Sequence, residues 1–254
     1  MKLLLKLGFV GNSFCGWQVQ PGKRTVQGEL CAAAKSVYGC ECAVTGCSRT
    51  DSGVHANAFA ATLAPKGEIY GDIPPEKVPV ALNRALPPDV AVFSAVPVPQ
   101  NFHARYNVSS KEYIYKIWNR SERNPFYEGL AWHIGKAFDE NALARMNLAA
   151  SLVCGEQDFT SFMAKGSKIT DPVRNVLSCA VTREGDMVEL RIEANGFLYN
   201  MVRIITGTIA EVGQNKREAG EIPEIIKAKD RARAGITAPA CGLYLNRVTY
   251  PEGY

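Results

Sequence analysis

The sequence predicts a mixed α/β protein made of two halves that join near residue 105, with strands of both halves sharing one sheet. Three observations support this prediction. The chain has 254 residues, of which 46% are hydrophobic, which is enough for a packed core and too many for a wholly disordered chain. Strand and helix patterns alternate along residues 2–97 and begin again at about residue 111. Neither half contains a low-complexity tract or a long linker.

The first half is predicted to contain strands that flank one long and one short helix. The strands are predicted at residues 2–10, up to Gly46, at about 57–64 and at 90–97. The helices are predicted from the capping residue Thr25 to Val37, and from Pro79 to Leu86. Gly39 ends the first helix, and the Pro87-Pro88 pair stops the second.

The second half repeats this alternation. Its strands are predicted at 111–118, 188–194 and 242–250, and its helices run from a cap at Asp139 to Val153 and from about Asn200 to Val212. In the first of these strands Tyr113, Tyr115 and Ile117 share one face, because side chains alternate along a strand. Gly155 and Gly213 close the two helices.

The formal net charge is +4, from 29 Lys+Arg against 25 Asp+Glu, and it is distributed unevenly. Residues 1–60 carry six basic side chains and three acidic ones, and residues 101–136 also carry six against three. A third basic cluster, at 227–233, is interrupted by Asp230 alone. Such patches permit a phosphate-bearing partner, although ordinary solvated faces explain them equally well.

The composition predicts a cytosolic protein with reduced thiols. No apolar window approaches the ~18 residues of a membrane span. The apolar start of the chain is broken by Lys6 and Gly8 and has no small-residue cleavage site, so we interpret it as a strand and not as a signal peptide. Cys40, Cys42 and Cys47 lie close together, but no pair has CxxC spacing, and no histidine follows them at the spacing of a zinc finger. We therefore interpret the eight cysteines as reduced core residues and not as a zinc site.

The segment GCSRTDSGVHA, residues 46–56, concentrates reactive side chains in a short loop between two predicted strands. The chemically notable residues within it are Arg49, Asp51, Gly53 and His55. Gly46 and Gly53 allow positive φ, so the loop can be tight and the strands can fix a catalytic Asp51. Taken alone, an aspartate in such a loop is more often a turn residue that bonds its own backbone.

Other segments of the chain join this one to carry a family resemblance. They are GNSFCGWQVQP (11–21), TVQGEL (25–30), NFHARYNVSSKEYIYKI (101–117), GEQDFTSF (155–162), NGFLYNMVRIITGTIAEVG (195–213) and APACGLYL (238–245). From about residue 3 to 251, and in the same order, the chain resembles the tRNA pseudouridine synthase A (TruA) family. The RTDxGVHA segment at 49–56 is specific, because few unrelated chains would carry it with these six companions.

The resemblance implies an isomerase that converts uridine to pseudouridine at tRNA positions 38, 39 and 40, on the 3′ side of the anticodon stem-loop. The uracil would be detached from its ribose, rotated and rejoined through carbon, with no metal and no redox cofactor. The implied pseudouridine synthase fold is α+β, with two related halves on a shared, mostly antiparallel central sheet and outer helices, and the family forms homodimers. Residues 1–105 would carry the catalytic aspartate loop, and residues 106–254 the active-site tyrosine, arginine and leucine.

The matching motifs assign roles to five residues. Asp51 matches the catalytic aspartate, whose carboxylate can add to the base or the sugar and leave again, so attack on C6 and attack on C1′ both stay open. Arg203 matches the basic residue that pairs with this aspartate, and an opposite charge within ~4–6 Å favours the ionised carboxylate. Tyr113 matches a tyrosine that stacks on the target base, and Leu243 an apolar cover of the pocket. Arg49 matches an arginine that helps to extrude the nucleotide.

Alternative interpretations stay open at several positions. Tyr115 is interpreted as a core residue, and the pattern alone allows the same for Tyr113 and Leu243. His55 either contacts RNA or braces its loop. At the level of function, the alternatives are a non-catalytic tRNA-binding protein on the same scaffold, a related synthase with other uridine targets, and a cysteine-based metal or redox protein.

The chain also departs from the family pattern at three places. Ser48 stands where the family usually has glycine, and Ser52 where it usually has alanine. The first loop begins Phe9-Val10-Gly11 in place of Tyr-Asp-Gly. Neither serine removes a catalytic group, so we expect activity to survive. The sequence leaves open which tRNAs are accepted.

Overall fold

The structure is a computed structural model that describes residues 1–166 and 169–252. Its strands and longer helices are, in chain order, β1 (Lys2–Phe9), α1 (Val26–Tyr38), β2 (Cys42–Gly46), β3 (His55–Pro65), α2 (Val78–Ala85), β4 (Val90–Val98), β5 (Ser110–Trp118), β6 (Trp132–His133), α3 (Ala142–Leu152), β7 (Gly155–Asp158), β8 (Val173–Glu184), β9 (Met187–Ala194), α4 (Met201–Gly213), α5 (Ile222–Ala228) and β10 (Leu243–Thr249). The chain divides into two compact units. The first is Met1–Ser109 with the residues from Tyr244 onward, and the second is Ser110–Leu243.

The sheet of the first unit is antiparallel except at one pairing. β1 lies between β3 and β4 and runs antiparallel to both, and β2 is antiparallel to β3. β10 pairs with β3 in the parallel direction, with Tyr244 opposite His55 and Leu245 opposite Ala56. Leu3, Leu5 and Leu7 of β1 are almost fully buried, as expected for the central strand of a sheet that is covered.

Helix α1 begins and ends at the capping residues that the sequence predicted. The Thr25 hydroxyl accepts a hydrogen bond from the Gly28 N–H, and Gly39 adopts a left-handed conformation with φ of 76°. The buried face contains Val26, Leu30, Ala33, Ala34 and Tyr38. The predicted helix is therefore confirmed, although Tyr38, one residue beyond the predicted end, is buried in place of Val37.

The second unit contains an antiparallel sheet with one short parallel addition. β9 lies between β5 and β8, β7 pairs with the outer side of β8, and the two-residue strand β6 runs parallel to β5. The alternation predicted for β9 is confirmed, because its inward residues are all buried: Val188, Leu190, Ile192 and Ala194. Each unit thus combines a mostly antiparallel sheet with helices, which confirms the α+β class.

Helix α4 is buried on nearly all sides, and glycine allows its close packing. At Gly207 a Cβ atom would overlap the backbone carbonyl of Ile236. At Gly213 it would lie 2.7 Å from the Met146 sulfur. Two small positions therefore let the neighbouring segment and helix α3 approach the helix backbone. No helix in the described ranges is long and apolar enough to cross a membrane.

The compact units are not a simple split of the chain at residue 105. Residues 106–109 belong to the first unit, and the chain returns to that unit from Tyr244 onward. The return is held by the β3–β10 pairing and by the Tyr250 hydroxyl, which donates to the Ala104 carbonyl at 2.7 Å. The functional division into residues 1–105 and 106–254 stays a prediction.

Some elements differ from their predicted bounds for identifiable reasons. Helix α3 begins at Ala142, because the Asp139 carboxylate accepts from the Asn141 N–H and so forms a turn ahead of the helix. Strand β8 has no sequence prediction, and most of its residues are exposed or half-exposed, so it lacks an alternating apolar pattern. Helix α5 was also not predicted, since its seven residues span only about two turns.

The buried side-chain amide of Asn119 connects three backbone groups of the second unit. This residue follows β5 and is 1% exposed. Its amide nitrogen donates to the carbonyls of Ile134 (3.1 Å) and Lys136 (3.0 Å), and its amide oxygen accepts from the Phe138 N–H at 2.8 Å. We predict that Asn119→Asp lowers the free energy of unfolding by about 2–4 kcal/mol, since a buried carboxylate would then face two carbonyl oxygens. Urea unfolding followed by circular dichroism measures this.

The matched control is Asn124→Asp. The side-chain oxygen of Asn124 accepts from the Phe126 N–H at 3.0 Å, which a carboxylate can do equally well. This control should stay within about 0.5 kcal/mol of the wild type. Equal losses for the two substitutions would contradict the role assigned to Asn119.

Candidate functional site

The RTDSGVHA segment lies in a tight connection between two strands of the first unit. Residues 47–54 join the end of β2 to the start of β3, which are antiparallel neighbours. Gly53 has φ of 80°, as its glycine predicted. Gly46 is needed for a different reason, because a Cβ there would lie 2.6 Å from the Trp17 ring and 2.8 Å from the Phe59 ring. Close aromatic packing thus fixes one end of the connection.

A second segment, residues 11–17, runs alongside residues 50–55, and we call this pairing the clasp. Three hydrogen bonds join its two sides: Gly11 N–H to His55 Nδ1 (3.0 Å), Ser52 Oγ to Phe14 O (3.0 Å), and Trp17 N–H to Thr50 O (3.2 Å). Asp51 is thereby flanked on both sides by residues that are tied to residues 11–17. The Val54 N–H also donates to the Asp51 carbonyl at 3.2 Å, which closes the turn.

The clasp requires glycine where its two backbones meet. A Cβ on Gly11 would overlap the Val54 carbonyl oxygen. Gly16 has φ of +81°, and a Cβ there would lie 2.5 Å from the Thr50 carbonyl oxygen. Next to it, the Trp17 ring stacks on Phe59 with centroids 4.1 Å apart. Backbone contact and aromatic stacking together hold the aspartate loop against residues 11–17.

Arg24 contacts the middle of the residue 11–17 segment at Phe14. Its guanidinium lies 4.2 Å from the centroid of the Phe14 ring and forms ion pairs with Asp89 (2.8 Å) and Glu29 (2.9 Å). The hydrogen bond to Asp89 raises the pKa of Arg24. Sequence reasoning gave no role to Arg24 or to the backbone of residues 11–17. The only available signal was the presence of Gly11 and Gly16 in a loop.

His55 braces the loop. Its side chain is 0% exposed, so it has no surface to offer to RNA. One ring nitrogen accepts from Gly11, and the ring stacks on Tyr244 at 4.5 Å with an interplanar angle of 19°. Of the two interpretations left open for this residue, the structure supports bracing. Arg49, in contrast, is exposed, and Asp51 is partly exposed.

Tyr113 and Tyr115 both lie on β5 of the second unit. Tyr115 is fully buried, and its hydroxyl donates to the Pro239 carbonyl at 2.6 Å. The prediction that it is a core residue is confirmed, and burial raises the pKa of its hydroxyl far above the usual range. Tyr113 is 6% exposed, and its ring meets Phe197 edge to face at 5.2 Å. Its predicted role in base stacking stays a prediction.

Arg203 ties the start of α4 to the segment that precedes β10. Its Nε donates to the Ala238 carbonyl at 2.8 Å, and the Ala238 N–H donates back to the Arg203 carbonyl at 3.1 Å. One terminal nitrogen donates to the side-chain oxygen of Asn200 at 2.8 Å. The guanidinium is therefore held in one orientation. Its pairing with Asp51 stays a prediction.

Leu243 is the first residue of β10 and is 6% exposed. Gly242 before it lies against β5, since a Cβ there would be 2.6 Å from the Tyr115 ring and 2.7 Å from the Lys116 carbonyl. The position of Leu243 is thus set by a close backbone approach. Its role as a pocket cover is not tested by this geometry.

The cysteines and other ligand-type side chains offer no metal centre in the described part of the chain. No group of three His, Cys, Asp or Glu residues there could hold a metal ion. The eight cysteines, all within the described ranges, form no disulfide. Burial is the main cause that raises the pKa of Cys42 to about 11, so this thiol is protonated at neutral pH.

Comparison with known proteins gives one consistent result. The model of a family described as tRNA pseudouridine synthase matches residues 8–107 and 149–251. The chain is 42% identical over 248 residues to tRNA pseudouridine synthase A of Thermoanaerobacter sp., which covers 98% of this chain and 99% of that protein. It is 40% identical over 254 residues to the protein of that name from Halalkalibacterium halodurans, covering 98% and 92%. Against the Moorella thermoacetica protein of that name it is 40% identical over 250 residues, covering 98% and 99%.

Substitutions at two glycines test how closely the two backbones of the clasp approach each other. We predict that Gly16→Ala lowers the free energy of unfolding by about 1–3 kcal/mol more than Gly22→Ala, because only the first adds an atom against backbone. The backbone is left-handed at both positions, but a Cβ on Gly22 meets nothing within 4 Å. Urea unfolding of both variants measures the difference. Equal destabilisation would contradict the close approach of residues 16 and 50.

Proposed function

The chain belongs to the tRNA pseudouridine synthase family, and we propose that it isomerises uridine to pseudouridine at positions 38, 39 and 40 of the anticodon stem-loop of tRNA. The observation that carries the proposal is the position of Asp51 between Thr50 and Ser52, both of which are hydrogen-bonded to residues 11–17. A carboxylate carried on a backbone held in this way needs less ordering at the moment of reaction, which lowers the entropic part of the barrier.

The chemistry that we propose is redox-neutral. The glycosidic bond between C1′ and N1 breaks, the uracil rotates, and a bond forms between C1′ and C5. The proton of C5 is lost, and a proton is gained at N1. In this scheme the Asp51 carboxylate adds to the substrate and is released later, with either C6 or C1′ as its point of attack. No electron acceptor is required, because reactant and product are isomers.

The remaining site residues would bind and expose the nucleotide. Arg49 is exposed beside Asp51, which suits a side chain that occupies the gap left by an extruded uridine. We propose that Tyr113 stacks on the target base, that Leu243 covers it, and that the oriented guanidinium of Arg203 pairs with Asp51. Stacking on an aromatic ring is worth ~1–3 kcal/mol per base.

We further propose that the active form is a cytoplasmic homodimer that binds tRNA through its basic surfaces. The basic excess of residues 1–60 supports such binding, because Asp51 is one of only three acidic residues there. The carboxylate would thus lie in a segment whose excess positive charge attracts the phosphates of RNA.

The experiment that tests the function uses tRNA transcripts with a single uridine at position 38, 39 or 40. We predict that the wild-type protein converts these uridines, as mapped by chemical probing of pseudouridine. Asp51→Asn should reduce the single-turnover rate by at least ~10⁴-fold while tRNA affinity stays within about threefold, because it removes the nucleophile with little change of shape.

The control for this variant is Asp72→Asn, which makes the same chemical change at an exposed aspartate of the first unit. It should retain wild-type turnover. Substantial conversion by Asp51→Asn would refute the role of Asp51. A wild-type protein that binds tRNA and converts nothing would instead favour the non-catalytic binding protein.

A second prediction concerns the charge of the binding surface. If about six phosphates are neutralised, the binding constant for tRNA should fall with salt at a log–log slope of about −5, or roughly 0.9 per duplex phosphate. Filter binding at salt concentrations of about 50 to 200 mM measures the slope. An affinity that does not change with salt would contradict binding through basic patches.

A further inference from the structure

The imidazole of His55 lies at the meeting point of three segments of the first unit. It is the first residue of β3, it accepts a hydrogen bond from the residue 11–17 side of the clasp, and it stacks on β10. Both it and its hydrogen-bond donor, Gly11, are buried. The three segments come from distant parts of the sequence, and the one side chain contacts the other two from the third.

The hydrogen bond defines the protonation state of the ring. Nδ1 accepts from the Gly11 N–H at 3.0 Å, which requires a lone pair at Nδ1. The neutral ring then carries its proton on Nε2, and an imidazolium could not make this bond because both of its nitrogens are donors. The bond also matters for Gly11, whose buried N–H would otherwise have no access to water.

We propose that His55 is a positioning residue for Asp51, acting through its neutral Nε2–H tautomer; this inference rests on the proposed function. The chain of contacts is short. His55 holds Gly11, the Gly11 backbone lies directly against Val54, and Val54 donates to the Asp51 carbonyl at 3.2 Å. Release of Gly11 would free the residue 11–17 side at one end and let the aspartate turn shift. A displacement of about 1 Å at a reacting group can cost ~10²-fold in rate.

Two substitutions distinguish a histidine that positions Asp51 from one that only fills space in the core. In His55→Asn the side-chain oxygen is bonded to Cγ, as Nδ1 is, so it can accept from Gly11. In His55→Gln the carbonyl is one bond farther out, where Nε2 was. Neither variant has a ring to stack on Tyr244, so the loss of stacking is the same in both.

The test is single-turnover pseudouridine formation together with tRNA affinity. We expect His55→Gln to lower the rate by about 100-fold and His55→Asn to recover it to within about tenfold of the wild type, with tRNA affinity equal in the two variants. Equal rates in both variants, whether low or near wild type, would overturn the proposal. Ser52→Ala serves as the comparison within the clasp, since it removes one hydrogen bond and leaves Gly11 held.

A measurement on the wild-type protein keeps the proposal testable if either variant fails to fold. Long-range ¹H–¹⁵N spectra of the three histidines distinguish a protonated from an unprotonated ring nitrogen. We expect Nδ1 of His55 to be unprotonated at neutral pH, and a protonated Nδ1 would overturn the inference. This readout does not depend on catalysis, so failure of the proposed function and failure of this inference remain distinguishable.

Discussion

The backbone of residues 11–17 lies so close to residues 50–55 that no side chain fits between them at Gly11 or Gly16. This close approach is the constraint on which the rest of the site depends. The two sides are joined there by hydrogen bonds from two backbone N–H groups and one hydroxyl.

The site thereby combines buried residues that hold the loop with side chains that reach the surface. Trp17 and His55 are buried and hold the loop, while Asp51 is partly exposed and Arg49 is exposed. In the proposed isomerisation the rate depends on the position of the Asp51 carboxylate, so the way in which its loop is held is the relevant property. Ser52, where the family usually has alanine, adds a hydrogen bond to Phe14 and so strengthens the same feature.

The elements that could be predicted from the sequence are those with a strong local signal. β9 alternates and α1 has a cap at Thr25 and a left-handed Gly39, so both were predicted within a residue or two. β8 was missed because it is mostly exposed and has no periodic pattern. The motif located Asp51, but the clasp could not be predicted, since each of its three hydrogen bonds uses a backbone group of residues 11–17, and backbone groups are the same in every sequence.

Native-state hydrogen exchange of the Gly11 and Trp17 amides tests the central claim most directly. If the clasp holds the aspartate loop, these amides should exchange only through unfolding of the first unit, with the same opening free energy as amides of β1 and β3. Exchange of Gly11 and Trp17 through a local opening, at rates at least ~100-fold faster than those of β1, would contradict the account.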